Sequence, residues 1–486
     1  MPTDPGLRRL ALRTLLAAFP GTAPPGWALD LVAEGLAGHT LFGRNVEHPD
    51  QLAATTAALR AARPDVLIAI DEEGGDVTRL AHATGSPYPG NAALGAVDET
   101  ALTRRVYHAI GSDLAAVGVN LNLAPSVDVN TADDNPIIGT RAFGADPARV
   151  AAHAAAAVAG LQDSGVIACA KHFPGHGATI ADSHHELPTV DVPVRVLRKR
   201  DLPPFAAAID AGVRAIMTAH IRVPALTGEL PATFSRPVLT DLLRDEYGFA
   251  GAVLTDALEM KGAALAAGGI GPAAVRALAA GADLLCLGAQ VDAELVETVV
   301  GHIVAALRDG RLDVGRVEEA AARVEVLAGW ARGTGPARPE RTDLGYAAAR
   351  RAVRVEGNLS GLTDPLVVEL VATSTIAEGR VPWGLGPHLD GTGWLRVVAT
   401  EVDADTLAAR AGRRPVVLVG RRLHQLPGAR ELVESLAASH PVTVVEMGWP
   451  SSWRPAGARA FVLTYGASHA NGRAAAEVLG LGGAAG

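Results

Sequence analysis

The sequence predicts an α/β fold, a TIM-like (β/α)8 barrel followed by a smaller three-layer α/β sandwich domain. Short apolar runs alternate with Ala/Leu-rich stretches of helical character over most of the first 300 residues. Near-continuous apolar strands that alternate with helices are typical of a parallel sheet. Polar residues stand where several of these runs end, and in a barrel all such ends open on one face.

The barrel strands are predicted at seven apolar runs: 39–43, 66–71, 119–128, 166–173, 214–221, 251–256 and 283–288. Between them, helical character is found at 50–62, 100–116, 147–162 and 237–246. A closed barrel of this kind needs an eighth strand, which the pattern does not assign to any segment. Residues 7–19 (LRRLALRTLLAAF) are predicted to form an amphipathic first helix.

The second domain is predicted to follow a linker at residues 331–343, which are rich in proline, glycine and charge. The expected division is a barrel domain at 1–335, a linker with a connecting helix at 336–360 and a sandwich domain at 361–486. Strands of the sandwich are predicted at 367–372, 395–399, 415–420, 442–447 and 460–464, with helices at 428–438 and 472–479.

Composition narrows the class of protein. A net charge of -9 and a pI near 5.9 imply no basic face, so nucleic acid is not an expected partner. No apolar run reaches the roughly 20 residues that a membrane span needs. Cys169 and Cys286 lie in apolar runs and are expected to be buried free thiols in a reducing compartment. Arg13 interrupts the N-terminal apolar run, so a cytoplasmic protein without a signal peptide is expected.

Residues 171–185 (KHFPGHGATIADSHH) contain four histidines, a lysine and an aspartate among glycines and a proline. Loops on rigid scaffolds often hold binding and catalytic groups. The histidines could ligate a metal, although the glycines remove the helical i, i+4 geometry of a zinc helix. Alternatively, Asp182 and His184 project to the same side of an extended loop, so that the carboxylate orients the imidazole for acid/base work. A third interpretation is a turn without a catalytic role, in which Asp182 caps the turn and His184 is an ordinary loop residue.

Polar side chains are predicted at the carboxyl ends of five barrel strands, and five such residues around one rim indicate a site. They are Asp71, Asp128, Lys171 with His172, His220 and Asp256. A carboxylate delivered to the rim by an apolar strand, as Asp256 is, can attack an electrophilic carbon or stabilise a cation. The alternative role for Asp256 is the N-cap of a following helix.

Two further loops carry candidate ligand-binding groups. Asp71 opens the acidic sequence DEEGGDVTRL, whose carboxylates suit sugar hydroxyls, whereas the spacing of a calcium-binding EF-hand is absent. Arg141 follows the third predicted strand, and with Lys171 it could donate hydrogen bonds to ligand oxygens. The alternative for Arg141 is a structural ion pair with Asp128 or Asp134.

With these residues in view, the chain resembles the β-N-acetylglucosaminidase (β-hexosaminidase) branch of glycoside hydrolase family 3. The matching segments follow the order of the family across most of the first 300 residues. They include LFGRN (41–45), DEEGG (71–75), APSVDVN (124–130), NPIIGTRAFGADP (135–147), KHFPGHGATIADSHHELP (171–188), DLPPF (201–205), IMTAHIRVPAL (216–226), PATFS (231–235) and GFAGAVLTDALEM (248–260). The KHFPGHG…DSH combination is the most specific of them.

The resemblance implies a retaining glycosidase without a cofactor or a metal. Asp256 matches the nucleophile, and Asp182 with His184 matches the acid/base dyad of this branch. The positions expected to bind substrate are Asp71, Asp128, Arg141, Lys171, His172 and Met260. The chain departs from the usual pattern at Glu72, where the family often has glutamine, and at Asp76, where it often has arginine.

The expected activity is exo-hydrolysis of terminal β-linked GlcNAc from muropeptides or chitooligosaccharides, as in peptidoglycan recycling. A phosphorylase is the first alternative, because a histidine acid/base does not repel phosphate as a carboxylate would. A β-glucosidase or β-xylosidase is the second, and a catalytically dead sugar-binding protein is the third. A small carbohydrate is the expected partner, with no membrane and no nucleic acid, and the sequence does not give the oligomeric state.

Overall fold

The computed structural model describes residues 4–332, 343–389 and 393–482, so the predicted linker lies almost entirely outside the described residues. The chain divides into two compact units. The first comprises Met1–Glu72, Thr103–Pro136 and Ala145–Arg341; the second comprises Glu73–Leu102, Ile137–Gly144 and Thr342–Gly486. Two stretches from the first third of the sequence therefore group with the C-terminal part.

The first unit is a parallel barrel, as the sequence predicts. Its strands are β1 (Leu15–Ala17), β2 (Gly38–Leu41), β3 (Leu67–Ile70), β4 (Leu121–Asn122), β5 (Ile167–Phe173), β6 (Ala215–Thr218), β7 (Ala252–Thr255) and β8 (Leu285–Cys286). They are hydrogen-bonded in the order β7-β6-β5-β4-β3-β2-β1-β8. A parallel bridge between Leu254 and Leu284 brings the two ends of this order together. The carboxyl ends of all the strands consequently face one rim.

The strand that the sequence analysis could not place is β1. A helix spans Pro5–Leu12 as predicted, but the helix prediction for the rest of 7–19 is wrong, because Leu15–Ala17 pair with β2 and β8. All three strand residues are buried, and a short, uniformly apolar run carries no period that separates strand from helix. The Thr14 hydroxyl donates to the carbonyl oxygen of Ala11 at the turn between the two elements.

Helices connect the barrel strands in the first unit, including the four that the sequence predicts. The α-helices are Pro5–Leu12, Gly26–Glu34, Pro49–Ala62, Thr100–Ala116 (whose first turn belongs to the second unit), Pro147–Asp163, Val194–Arg200, Pro203–Asp210, Pro224–Thr227, Lys261–Ala267, Ile270–Ala280, Ala293–Arg308 and Val314–Arg332. Pro237–Glu246 is a π-helix, and Gly43–Asn45 and Ala232–Phe234 are 3-10 helices.

Within the described ranges, no single helix has the length and apolar composition needed to cross a membrane. One pair of helices, Lys261–Ala267 and Ile270–Ala280, meets those two criteria jointly and is bent by 92°.

The second unit is built on a six-stranded sheet with the order β11-β10-β12-β13-β14-β9. Its strands are β9 (Arg354–Gly357), β10 (Leu366–Leu370), β11 (Trp394–Val397), β12 (Val416–Gly420), β13 (Val442–Glu446) and β14 (Ala460–Leu463). Its α-helices are Asn91–Val97, Leu344–Ala352, Ala404–Ala411, Ala429–Ser439 and His469–Val478, with 3-10 turns at Gly139–Arg141 and Gly386–His388. The five predicted strands are present, and β9, which pairs antiparallel with β14, was not predicted.

Alternate residues of the central strands supply two cores, one on each face of this sheet. Val368 packs with Leu432 of the helix Ala429–Ser439, whereas Val367 packs with Ala474 of the helix His469–Val478. Helices on both faces of a sheet give the three-layer arrangement that the sequence predicts.

The early stretches of the second unit pack against its C-terminal part. Ile137 and Ile138 share a buried cluster with Trp449. The carboxylate of Asp76 accepts a hydrogen bond from the backbone N–H of Ala467 at 2.8 Å and another from the Thr140 hydroxyl at 2.7 Å. Asp76 is one of the two departures from the family pattern, and its contacts give that departure a structural role within this unit.

Candidate active site

The first pair of rim residues is Asp71 and Lys171. Asp71 directly follows β3, and Lys171 lies in the last half of β5. The Lys171 ammonium donates a hydrogen bond to Asp71 Oδ1 at 2.7 Å, and only 3% of the lysine side chain is exposed. A buried ammonium requires a partner of this kind. The structure therefore brings together two groups that the sequence placed at the ends of different strands.

Asp128 is fully buried, and its carboxylate contacts His172 and His176 of the KHFPGHG segment (171–177). His172 Nδ1 lies 2.7 Å from Asp128 Oδ2, and the backbone N–H groups of His176 and His172 donate to Oδ1 at 2.6 and 3.3 Å. Burial opposes ionisation of this carboxyl, but the interactions with His172 and His176 together outweigh it and hold the pKa at about 2. Asp128 therefore fixes the orientation of the His172 ring from behind.

Asp182 and His184 form the hydrogen bond that the acid/base interpretation requires. His184 Nδ1 is 2.6 Å from Asp182 Oδ1, and the backbone N–H of His184 donates to the same oxygen at 2.9 Å. Burial opposes ionisation of Asp182, but the hydrogen bonds from His184 lower its pKa below the usual value. The carboxylate accordingly fixes the proton on Nδ1 and leaves Nε2 as the nitrogen for chemistry.

Asp256 directly follows β7, and its Oδ1 accepts a hydrogen bond from the backbone N–H of Ala257 at 2.7 Å. It does not cap a helix, because the next helix begins at Lys261 with Met260 as its N-cap. Burial raises the pKa of Asp256, but interactions with His220, His172 and His184 and the hydrogen bond from Ala257 act in the opposite direction and hold it at about 2. His172 and His184, from β5 and the loop after it, and His220, from the segment after β6, thus favour the ionised form of this carboxylate.

His220 tethers the chain just beyond Asp256. Its Nε2 lies 3.1 Å from the carbonyl oxygen of Ala257, and its Nδ1 lies 2.8 Å from the Thr233 hydroxyl. A carbonyl can only accept, so Nε2 carries the proton. Burial lowers the pKa of His220, which favours the neutral ring. The sequence placed His220 on the rim without a role; the structure gives it one in fixing the backbone after Asp256.

Gly262 connects the segment after Asp256 to the loop that carries Asp182 and His184. Met260 is buried, with 5% of its surface exposed. The backbone N–H of Gly262 donates to the carbonyl oxygen of Ser183 at 3.2 Å. Sequence reasoning did not identify Gly262 or Ser183, because a backbone contact between distant loops leaves no periodic or compositional signal.

Arg141 belongs to the second unit. It forms a two-pronged ion pair with Glu73, with Nε–Oε2 and Nη2–Oε1 distances of 2.9 and 2.7 Å. Both side chains are buried, at 7% and 3% exposure. Its Nη1 also donates to the carbonyl oxygen of Ile137 at 3.0 Å. The partner of Arg141 is therefore Glu73 rather than Asp128 or Asp134, the two partners expected from the sequence.

The histidine-rich loop was also considered as a metal site. Among the residues that the structure describes, no group of three or more His, Cys, Asp and Glu side chains is arranged to hold a metal ion. The two cysteines are free and buried, as expected, and burial raises the pKa of Cys286 to about 12.

Gly177 supports the loop by a close backbone approach, and Gly177→Ala should destabilise the barrel. A Cβ at this position would overlap the backbone carbonyl of Val129, so one of the two segments must move. We expect the free energy of unfolding to fall by about 1–3 kcal/mol, as measured by urea denaturation. Gly301→Ala is the control, because a Cβ there meets open space on a helix. The control should gain about 0.5–1 kcal/mol; equal stability of the two variants would contradict the packing argument.

The chain is similar in sequence and fold to known proteins. Residues 28–327 match the family described as "Glycosyl hydrolase family 3 N terminal domain". A solved β-N-acetylglucosaminidase of glycoside hydrolase family 3 from a Paenibacillus species is 32% identical and superposes with a TM-score of 0.87, covering 98% of this chain and 97% of that one.

Two curated proteins are also similar to this chain in sequence. "Beta-hexosaminidase" from Chromobacterium violaceum is 40% identical over 255 residues, which are 51% of this chain and 70% of that protein. "Beta-hexosaminidase A" from Pseudoalteromonas piscicida is 34% identical over 331 residues, or 63% of this chain. The second match spans only 55% of the Pseudoalteromonas protein.

Proposed function

The chain belongs to glycosyl hydrolase family 3, and we propose that this glycoside hydrolase is a retaining exo-β-N-acetylglucosaminidase. The observation that carries the proposal is the 2.6 Å hydrogen bond between Asp182 and His184, in a loop whose histidine acts electrostatically on the ionised Asp256. The names of the Paenibacillus and Chromobacterium relatives support the GlcNAc substrate.

In the first step, the Asp256 carboxylate attacks the anomeric carbon as the glycosidic bond breaks. His184 donates the Nε2 proton to the departing oxygen, and Asp182 stabilises the imidazolium that exists before this transfer. The products are a free alcohol and a sugar joined covalently to Asp256. Retaining enzymes usually employ a second carboxylic acid as the proton donor. A histidine with an ordinary pKa near 6.5 can serve at neutral pH without a large environmental shift.

In the second step, the neutral His184 accepts a proton from water as the water oxygen attacks the anomeric carbon. The bond to Asp256 breaks, and the carboxylate leaves in its ionised form. Because the pKa of Asp256 is held at about 2, it is a good leaving group at neutral pH. Two inversions at the same carbon return the β configuration of the sugar.

Sugar binding is assigned to the polar groups around these three residues. Lys171 and Asp71 are already paired, so they can offer a fixed donor and a fixed acceptor to sugar hydroxyls. Asp128 keeps the His172 ring in one orientation. Arg141 and Met260 stay predicted substrate contacts. Muropeptides and chitooligosaccharides are the proposed natural substrates, and the cytoplasm is the proposed location.

The proposal is tested by assaying a chromogenic β-GlcNAc glycoside with and without inorganic phosphate, with products identified by mass spectrometry. We expect free GlcNAc of β configuration as the first product, at a rate that phosphate does not change. GlcNAc-1-phosphate formed in proportion to phosphate would identify a phosphorylase. Comparable turnover of a β-glucoside would favour the glucosidase alternative, and no turnover of any glycoside would indicate a sugar-binding protein.

A further inference from the structure

Ser183 stands between the two members of the proposed dyad but faces away from them. Its hydroxyl oxygen lies 3.2 Å from His176 Nε2. Both residues are 2% exposed, so neither is available to solvent. The mechanism uses neither of these side chains, although both lie within the most specific motif of the chain.

The direction of the protons around His176 follows from its neighbours. The Thr179 hydroxyl donates to the carbonyl oxygen of His176 at 3.0 Å and lies 2.7 Å from its Nδ1. With the single hydroxyl proton directed to that carbonyl, Nδ1 donates to the Thr179 oxygen. Nε2 is then unprotonated and accepts the proton of the Ser183 hydroxyl. Burial lowers the pKa of His176 to about 4, which is consistent with a neutral ring.

His176 is itself held by the sugar-binding side of the site. Its backbone N–H donates to Asp128 Oδ1 at 2.6 Å, and the other oxygen of the same carboxylate contacts His172 Nδ1 at 2.7 Å. A continuous series of hydrogen bonds therefore runs from His172 through Asp128 and His176 to Ser183. Each member is buried, where such bonds are strong and an unmade bond is costly.

The backbone of Ser183 is held from the opposite side. Its carbonyl oxygen accepts the 3.2 Å hydrogen bond from Gly262, four positions after the buried Leu258 and six after Asp256. A Cβ on Gly262 would lie 3.1 Å from that oxygen and 3.2 Å from the His220 Cβ, so a larger residue would press on the loop. The side chain of Ser183 is thus bonded to His176, which contacts Asp128, and its main chain is bonded to Gly262, in the segment that follows Asp256.

We infer that Ser183 and His176 are positioning residues that hold the Asp182–His184 pair at the distance from the bound sugar that proton transfer requires. The inference rests on the proposed function and assigns the geometry of its acid/base to a specific contact. Without the Ser183–His176 bond, the dyad remains intact as a pair, but the loop that carries it is no longer fixed to the sugar site. Misplacement by about 1 Å at a reacting group can cost on the order of 100-fold in rate.

The test is Ser183→Ala assayed on aryl β-GlcNAc glycosides whose leaving groups range from phenol to 2,4-dinitrophenol. A phenoxide needs a proton from His184, whereas a dinitrophenoxide does not. We expect about a 10- to 100-fold loss of kcat/KM for the phenyl substrate and less than about a threefold loss for the dinitrophenyl substrate. A merely structural loss would lower both values equally, and that result would overturn the inference.

A second variant keeps the test decisive if Ser183→Ala also changes the structure outside this contact. His176→Leu removes the acceptor of the same bond, so the double variant with Ser183→Ala should lose little more than either single variant. Multiplicative losses would mean that the two side chains act separately, contrary to the inference. Ser164→Ala is the matched control, because its hydroxyl is equally buried (2% exposed) and donates to the Leu161 carbonyl instead. It should leave the leaving-group dependence unchanged.

His184→Ala separates failure of this inference from failure of the proposed function. If His184→Ala steepens the leaving-group dependence and Ser183→Ala does not, His184 is the acid but the Ser183–His176 contact does not position it. If His184→Ala leaves the dependence unchanged, the proposed acid/base role is itself wrong.

Discussion

Asp256→Ala should abolish turnover of β-GlcNAc glycosides, lowering kcat by at least about 10⁴-fold, as expected for removal of a covalent nucleophile. The structure supplies the physical reason, since Asp256 has a pKa of about 2 and is therefore ionised at neutral pH. The measurement is kcat on a 2,4-dinitrophenyl glycoside, in the presence and absence of azide. Azide should restore part of the activity and give the α-glycosyl azide, because it attacks from the face that the carboxylate vacated.

The matched control is Asp210→Ala, which removes an exposed carboxylate at the end of a barrel helix. It should retain the activity of the unmodified protein. Full turnover by Asp256→Ala would refute the assigned nucleophile. Because the pKa of Asp256 is held at about 2, protonation of this carboxylate should cause no loss of kcat/KM above about pH 4.

His184→Ala should lower kcat/KM by about 10²–10⁴-fold for substrates with poor leaving groups. With the 2,4-dinitrophenyl glycoside, the first step should be slowed less, because its leaving group needs no proton. The second step then becomes rate-limiting, because no base activates the attacking water. Azide should accelerate that second step and give the β-glycosyl azide. The anomeric configuration of the azide, determined by NMR, therefore distinguishes the acid/base from the nucleophile.

His185→Ala is the control for this variant, since His185 is adjacent in sequence but exposed. Its activity should change much less than that of His184→Ala. A larger effect at His185 would transfer the acid/base role to that residue and break the assignment to the Asp182–His184 pair.

Much of the barrel could be predicted because its strands are buried on both faces and therefore appear as continuous apolar runs. The rim followed from that, as Asp71 and Asp256 directly follow β3 and β7, whereas Asp128 lies six residues after β4, which is shorter than the strand predicted at 119–128. β1 escaped prediction because three apolar residues directly after a helix carry no period of their own. β9 escaped for the opposite reason, as its four residues are all exposed and lack the alternation of a half-buried strand.

The site was less predictable where it depends on contacts between distant segments. The Asp182–His184 bond was foreseeable because the two residues are two apart in an extended loop. The hydrogen bond between Gly262 and the Ser183 carbonyl required the fold, since a bond to a backbone carbonyl does not select a recognisable residue type. The pairing of Arg141 with Glu73 likewise joins two loops whose proximity no local pattern encodes.

The discontinuous make-up of the second unit limits how this chain can be divided. A cut at the linker would keep Glu73–Leu102 and Ile137–Gly144 with the barrel and remove the residues on which they pack, including Trp449 and Ala467. The apolar side chains of Ile137 and Ile138 would then be solvated, and the carboxylate of Asp76 would lose a backbone donor. A chimera that exchanges the C-terminal region with that of a relative therefore has to exchange all three stretches together, although they are separated in the sequence.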